Sequence, residues 1–120
     1  MNIPRITVSA TNVELTPAIY DLISRRLTPL GRLLIYEGDV NINVVLRYNP
    51  TTFGGMYFVS VRLKTDRNSY MAVASKAHLA RAIIAAKDML RQSISKGASV
   101  SDTSLLEAAK TIKQAYTLTL

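Results

Sequence analysis

"VNINVVLRYNPTTFGGMYFVSVRLK", residues 40–64, contains two segments in which apolar and polar side chains alternate. A period of two is typical of a β-strand with one buried face, and β-branched residues favour that conformation. Residues 40–48 and 56–64 are therefore predicted strands. The Gly54-Gly55 pair between them indicates a turn that needs positive φ, since the sequence around it matches neither GxGxxG nor GxxxxGK[ST].

The segments on either side of this pair complete the set of predicted elements. "IPRITVSA", residues 3–10, and "SYMAVAS", residues 69–75, have the pattern of two further strands. Amphipathic helices are expected after the first strand and after the last one. The order strand, helix, three strands, helix predicts an α+β two-layer sandwich, with two helices on one face of a four-stranded sheet. The last three strands should form an antiparallel meander, and the second sheet face should stay partly open.

The first helix carries clear signals at its start and a conflict near its end. Thr16 is a good N-cap, and Pro17 suits the first helical position, where its missing N–H costs nothing. A run of apolar residues at helical spacing follows. Because Pro29 and Gly31 fall inside that run, we expect a kink, or a helix that stops near Thr28 and is followed by a short second turn.

The second helix, predicted to begin near Lys76 or Ala77, combines an apolar stripe with an excess of positive charge. The stripe consists of Leu79, Ile83, Ala86, Leu90 and Ile94. The cations around it are Arg81, Lys87, Arg91 and Lys96. Asp88 alone opposes them, although oppositely charged pairs one turn apart stabilise a helix by about 0.2–0.5 kcal/mol each. This imbalance indicates an anionic partner. Gly97 fits the position just after the helix.

The composition of the whole chain supports the same inference. The 120 residues carry a formal charge of +7, and residues 62–96 hold 8 basic and 2 acidic side chains. Charge concentrated in this way favours polyanions, most often nucleic acid. The absence of cysteine excludes disulfides and thiolate metal sites. Because the sequence shows neither a secretory signal nor an apolar run of roughly 18 residues, we expect a soluble, cytoplasmic protein.

The sequence lacks the residue constellations of common catalytic and cofactor sites. His78 is the only histidine and has no nearby candidate nucleophile. No cluster of histidine, aspartate or glutamate has the spacing of metal ligands. Asp66 and Asp88 stand alone, so paired-carboxylate catalysis has no evident position. We therefore expect a protein that is not an enzyme and that takes no metal, cofactor or small-molecule substrate.

A basic surface is left as the candidate site, and RNA is its expected ligand. Cations on the helices could neutralise phosphates, each adding salt-sensitive affinity. The open sheet face adds Phe58, which could stack on a base, and two further cations. The predicted RNA-binding residues are Arg25, Arg26, Arg32, Arg62, Lys64, Lys76, Arg81, Lys87, Arg91 and Lys96.

Several segments resemble a known family, the ribosome hibernation-promoting factors and ribosome-associated inhibitor A proteins, also called sigma-54 modulation proteins. Residues 6–34, "ITVSATNVELTPAIYDLISRRLTPLGRLL", are similar to the family's first strand and helix, whose start is matched here by Val13-Glu14-Leu15-Thr16-Pro17. Residues 40–48 resemble its second strand. "LARAIIAAKDMLRQSISK", residues 79–96, resembles its last helix, whose recurrent residues correspond to Ala82-Ile83, Asp88, Leu90 and Lys96. The similarity covers residues 5–96.

This resemblance implies a β-α-β-β-β-α fold akin to double-stranded-RNA-binding domains. It also implies a hibernation factor that binds the small ribosomal subunit in the channel used by messenger and transfer RNA, and so blocks translation. Basic helical faces would lie on ribosomal RNA phosphates and recognise shape rather than sequence. Arg26, Arg32 and Lys96 match basic positions of the family. The chain departs from the family pattern at Pro29 and Gly31, and it has fewer cations near the end of the last helix.

The sequence also predicts a division of the chain and leaves a second function open. Residues 1–96 form the predicted ribosome-binding domain, and residues 97–120 form a C-terminal extension with equal numbers of acidic and basic side chains. The capping-box spacing from Ser104 to Glu107 predicts a short helix over 104–116. The alternative function is a protein-interaction or oligomerisation module on the same fold. The extension and the open sheet would then supply the contact, the sheet through Val45, Phe58, Met71 and Val73.

Overall fold

The computed structural model describes residues 3–97 and Ser99. Its helices and strands follow one another in the order β-α-β-β-β-α, which confirms the predicted order. They are β1 Arg5–Thr11, α1 Pro17–Arg32, β2 Asn41–Asn49, β3 Met56–Lys64, β4 Ser69–Lys76 and α2 Leu79–Ser95. Two short 3-10 helices, Ile35–Glu37 and Thr52–Gly54, follow α1 and β2. The predicted helix over 104–116 lies outside the described residues.

The four strands form one mixed sheet in the order β1-β2-β3-β4. β2, β3 and β4 are antiparallel neighbours, which confirms the predicted meander, whereas β1 pairs with β2 in parallel. A parallel pair needs a crossover connection, and α1 supplies it. The register places Val44 between Val8 and Val61, so apolar residues of neighbouring strands share one face.

The core lies between that sheet face and the two helices. The sheet contributes side chains that are at most 1% exposed, namely Ile42, Val44, Leu46, Val59, Val61 and Leu63. The helices contribute equally buried side chains, namely Ile23, Leu27, Ile83, Ala86 and Leu90. Leu79 and Ile94 pack at the margin of this core, which confirms the predicted stripe of α2. Since each large apolar side chain contributes about 1.5–3 kcal/mol when buried, the core fixes both helices on the sheet.

The start of α1 agrees with its sequence signals, but its end does not. The Thr16 hydroxyl accepts a hydrogen bond from the backbone N–H of Ile19 at 3.2 Å, as expected of an N-cap. The prediction that the helix stops near Thr28 is wrong, because α1 continues to Arg32 with Pro29 inside it. Pro29 is exposed and lies in the last turn, so its missing N–H removes one intrahelical hydrogen bond near the end of the helix, where the loss costs little.

Gly31 has a packing role that its sequence pattern does not reveal. It is buried, and a Cβ atom at this position would lie 2.7 Å from both Cβ and Cγ of Pro4. Real Cβ atoms do not approach other carbon atoms so closely. The glycine therefore lets the last turn of α1 rest directly on the segment that leads into β1.

The boundaries of α2 differ from the prediction at one end only. The helix begins at Leu79, so the predicted start near Lys76 or Ala77 is wrong. β4 keeps its pairing with β3 as far as Lys76, which lies opposite Tyr57, and the extended backbone persists through His78. At the other end Gly97 has φ of 64°, as predicted for the residue that ends the helix.

A buried polar cluster ties the first 3-10 helix to the turn between β3 and β4. The Glu37 carboxylate accepts hydrogen bonds from Thr65 Oγ1 and Asn68 Nδ2, both at 2.8 Å. Burial raises the pKa of Glu37, but hydrogen bonds from Asn68, Thr65 and Tyr36 lower it more, so the net pKa is below its usual value. The ionised carboxylate thus holds the turn in place.

Candidate nucleic-acid interface

Cations from both helices converge where α1 and α2 lie side by side. They line a hollow of about 310 Å³, which we call the interhelix groove. Its residues are Arg25, Arg26, Pro29, Leu30, Leu33, Lys87 and Arg91. Lys87 and Arg91 are one turn apart, as are Arg25 and Pro29, so helical periodicity places each pair on one side of its helix. The groove unites four of the ten predicted RNA-binding residues.

The cations of the groove have acidic neighbours that are accessible to solvent. Arg25 pairs with Asp21 at 2.8 Å, and Lys87 pairs with Asp88 at 2.7 Å. The hydrogen bond from Lys87 lowers the pKa of Asp88, and the charges of Lys87, Arg91 and Arg26 lower it further. Arg26 of α1 and Arg91 of α2 therefore act on the same carboxylate. The Arg25–Asp21 pair is exposed on both sides and is therefore weak, typically about 0–1 kcal/mol, so a polyanion can displace Asp21. The Lys87 side chain is only 18% exposed, so its pair with the exposed Asp88 is screened less by solvent.

The positive surface continues along α2 beyond the groove. A second hollow of about 410 Å³ is lined by Asp88, Arg91, Gln92, Ser95 and Lys96. Arg91 belongs to both hollows, so Lys96 extends the groove by about one further helical turn. Three more predicted residues, Arg32, Lys76 and Arg81, are exposed but do not line the groove.

The remaining two predicted residues, Arg62 and Lys64, lie on the other side of the molecule. In β3 they alternate with Val61 and Leu63, which point into the core beneath the helices. Phe58 belongs to the same open face. The structure therefore does not gather the ten predicted residues into one surface, but divides them between the helix face and the open sheet face.

Sequence reasoning missed the apolar part of the groove. The sequence predicts only a kink or a helix end at Pro29, yet this residue lines the groove next to the arginines. Leu33 is 57% exposed and lines the groove beside the cations. A signal was present, because Pro29 and Leu33 follow Arg25 and Arg26 at helical spacing. Apolar and cationic groups side by side suit a ligand with both sugars and phosphates.

Within residues 3–97 no group of three or more His, Cys, Asp or Glu could hold a metal ion. No helix in the described part of the chain has the length and apolar character needed to cross a membrane.

The fold is similar to that of two solved structures. A ribosomal subunit interface protein from Coxiella burnetii superposes with a TM-score of 0.64 over 77% of this chain and 94% of that chain, at 18% identity. The N-terminal domain of Protein Y from Thermus thermophilus gives 0.60 over 80% of this chain and 98% of that chain, at 26% identity. Both belong to the hibernation-promoting factor family, so the resemblance predicted from the sequence is confirmed in structure.

Comparisons of sequence alone give no such match. The chain matches no protein-family model, and a search of curated proteins finds no match either.

Proposed function

We propose that this protein is a non-enzymatic, ribosome-associated translation inhibitor, which binds ribosomal RNA of the small subunit through the interhelix groove. The observation that carries the proposal is the convergence of four cations from two helices on a fold shared with a ribosomal subunit interface protein. On this view the protein acts in the cytoplasm, where ribosomes are.

The geometry of the groove suits a structured RNA backbone better than a single base. Side chains on two neighbouring helices can contact phosphates on both sides of a narrow groove in RNA. Such contacts recognise the shape of the RNA rather than its base sequence. Leu33 and Pro29 offer apolar contact to the sugars between those phosphates. Arg32, Lys76, Arg81 and Lys96 are exposed outside the groove and would add further phosphate contacts.

Occlusion is the proposed mechanism of inhibition. A folded domain held on the RNA of the decoding channel fills space that messenger and transfer RNA need, so no bond has to be made or broken. Arg62 and Lys64, on the opposite face, are assigned no contact with this RNA. The proposal thus distinguishes the cations of the groove, which would bind RNA, from the two cations of the open sheet face, which would not.

Co-sedimentation with purified small ribosomal subunits tests the proposal. The double variant Arg26→Glu/Arg91→Glu should lose at least about a hundredfold in affinity, because two phosphate contacts become repulsive. The matched control Arg5→Glu/Lys64→Glu makes the same change in net charge at exposed positions of the sheet and should bind like the unmodified protein. Circular dichroism checks that both variants fold.

Two outcomes contradict the proposal. Equal loss in both double variants would mean that net charge, rather than the groove, attracts the protein to RNA. Absence of binding even at low salt would remove the ribosome as partner and favour the interaction-module alternative. Analytical sedimentation of the full chain would then look for a salt-insensitive dimer.

A further inference from the structure

The open sheet face carries a second site of different design. We propose that it binds a small ligand through an oxyanion group, phosphate or carboxylate, held by Arg62. A hollow of about 330 Å³ lies on this face and reaches across all four strands. Its residues are Thr7, Ser9, Asn43, Val44, Val45, Ser60, Arg62 and Met71, and we call it the sheet hollow.

The strand register explains why these residues meet. Thr7 of β1 lies opposite Asn43 of β2, which lies opposite Arg62 of β3, which lies opposite Met71 of β4. The next row on the same face contains Ser9, Val45 and Ser60. Since side chains two residues apart share a face, both rows point away from the helices. The hollow is therefore part of the rigid sheet.

The polar groups of the sheet hollow match an anion. Hydroxyls of Thr7, Ser9 and Ser60 and the amide of Asn43 can all donate hydrogen bonds, and Arg62 adds the positive charge. Among the described residues that line the hollow none is acidic. This differs from the interhelix groove, where Asp21 and Asp88 partly neutralise the cations.

The state of Arg62 itself points to a ligand. Its Nε atom is buried, and it has no hydrogen-bond partner among the described residues. An arginine on a protein surface normally keeps its guanidinium in water, and buried donors are almost always bonded. Because Nε is inaccessible even to a water molecule, an acceptor from outside would meet the terminal nitrogens of this half-buried side chain, which lines the hollow. The guanidinium fork fits two oxygens of a phosphate or carboxylate.

The size of the hollow indicates more than a bare inorganic ion. Its volume is at the lower end of the range of about 300–1,000 Å³ that is usual for small-molecule sites. Val45 and Met71 provide apolar wall beside the donors. The ligand would therefore be a small organic phosphate or carboxylate with a short apolar part.

Nuclear magnetic resonance of the 15N-labelled full chain tests the proposal. Inorganic phosphate and acetate are titrated separately, with chloride keeping the ionic strength constant. We expect a saturable shift of the Arg62 Nε–H signal and of the Asn43 side-chain amide signals. Saturation with phosphate identifies the phosphate class, and saturation with acetate identifies the carboxylate class. If neither phosphate nor acetate gives a saturable shift, the proposal is overturned, because the hollow then has no specific affinity for an oxyanion.

Variants separate a built site from general attraction of anions. Arg62→Gln should abolish the saturable shift at Asn43, and Arg62→Lys should weaken binding at least about tenfold, because lysine keeps the charge but not the planar fork. Lys64→Gln removes a charge from the same strand outside the hollow and should leave binding unchanged. Equal weakening by Lys64→Gln and Arg62→Gln would overturn the proposal. The titration of the unmodified chain stands even where a variant fails to fold.

This inference does not rest on the proposed ribosome binding. Its residues lie on the face opposite the interhelix groove, and its variants differ from those that test the groove. A variant that loses ribosome binding but keeps anion binding, or the reverse, would therefore show which of the two sites has failed.

Discussion

The interhelix groove and the sheet hollow are both positive, but they are built in different ways. The groove takes four cations from helical spacing, and two of them already have exposed acidic partners. The hollow takes one arginine and several neutral donors from alternate positions of four strands. Several charges spread over two helices suit the repeated phosphates of a polyanion, whereas one guanidinium among neutral donors suits a single compact anion. We therefore expect the arrangement of the cations, as well as the net charge, to determine which kind of ligand each site binds.

Salt should separate the two sites most strongly. Raising monovalent salt from about 50 to 200 mM should weaken small-subunit binding about a hundredfold if four phosphates are neutralised. Binding releases counterions that are condensed on the RNA, and this release is less favourable at higher salt. A small phosphate carries no condensed counterion layer, so its binding in the sheet hollow should weaken by less than about threefold. Co-sedimentation and the phosphate titration, each at both salt concentrations, give the two slopes.

Similar slopes at both sites would contradict this comparison. A shallow slope for the ribosomal subunit would mean that apolar contacts dominate the groove. A steep slope for phosphate would mean that the hollow attracts anions only through the long-range field of the protein.

Substitution of Gly31 should damage the groove and spare the hollow. Gly31→Ala brings a methyl group against Pro4 and so lifts the last turn of α1, which carries Pro29 and Leu30. Overpacking costs about 1–3 kcal/mol, and the better helix propensity of alanine returns up to about 1 kcal/mol, so we expect a loss of about 1–2 kcal/mol. Urea unfolding measures the loss, and the phosphate titration should be unchanged.

A second substitution checks the cause of that loss. Pro4→Gly removes the atoms that the new methyl group would meet, so it should be less harmful in combination with Gly31→Ala than by itself. Additive losses in the double variant would show that Pro4 is not the source of the strain.

The acid beside the groove allows a change in the opposite direction. Asp88→Asn frees Lys87 from its ion pair and removes a negative charge that Arg26 and Arg91 also face. Small-subunit affinity should rise about two- to fivefold, a modest gain because Asp88 itself is exposed and solvent screens its charge. Glu14→Gln, an exposed position outside the groove, changes the net charge equally and is the control. An equal gain in both variants would mean that the groove has no special role.

Much of the fold could be predicted because its sequence patterns are local. The alternation in residues 40–48 and 56–64 identified the buried faces of β2 and β3, and the spacing of apolar residues identified the buried face of α2. The errors arose where tertiary packing outweighed a local signal. The sequence predicts a kink or a helix end at Pro29, but α1 continues to Arg32, because a proline in the exposed last turn costs too little to end it.

The candidate sites were predictable in composition but not in arrangement. The sequence identified the cations of the groove, yet the approach of Arg26 to Arg91 depends on how two helices pack. Arg62 was grouped with the other cations, because its buried Nε depends on neighbours from other strands. The contact of Glu37 with Thr65 joins residues far apart in sequence and had no local signal.

The buried Glu37 cluster predicts the smallest effect, a dependence of stability on pH. The folded pKa of Glu37 is below its usual value of 4.5, so its ionised form stabilises the folded state above about pH 4.5. That stabilisation should be lost as the pH falls through the lowered pKa. Because burial opposes the hydrogen bonds, the effect should be modest. It concerns the sheet side of the molecule, since the turn that Glu37 holds joins the strands of Arg62 and Met71.

Urea unfolding of the unmodified chain and of Glu37→Gln at pH 7, 5 and 3 measures this effect. Glutamine keeps an oxygen that can accept from Thr65 and Asn68 but does not titrate, so the advantage of the unmodified chain should be greatest at pH 7 and smallest at pH 3. A constant difference across the three pH values would show that the charge of Glu37 contributes nothing. A phosphate titration of Glu37→Gln at pH 7 also distinguishes the two sites. The loosened turn should lower the affinity of the sheet hollow for phosphate and leave the interhelix groove intact.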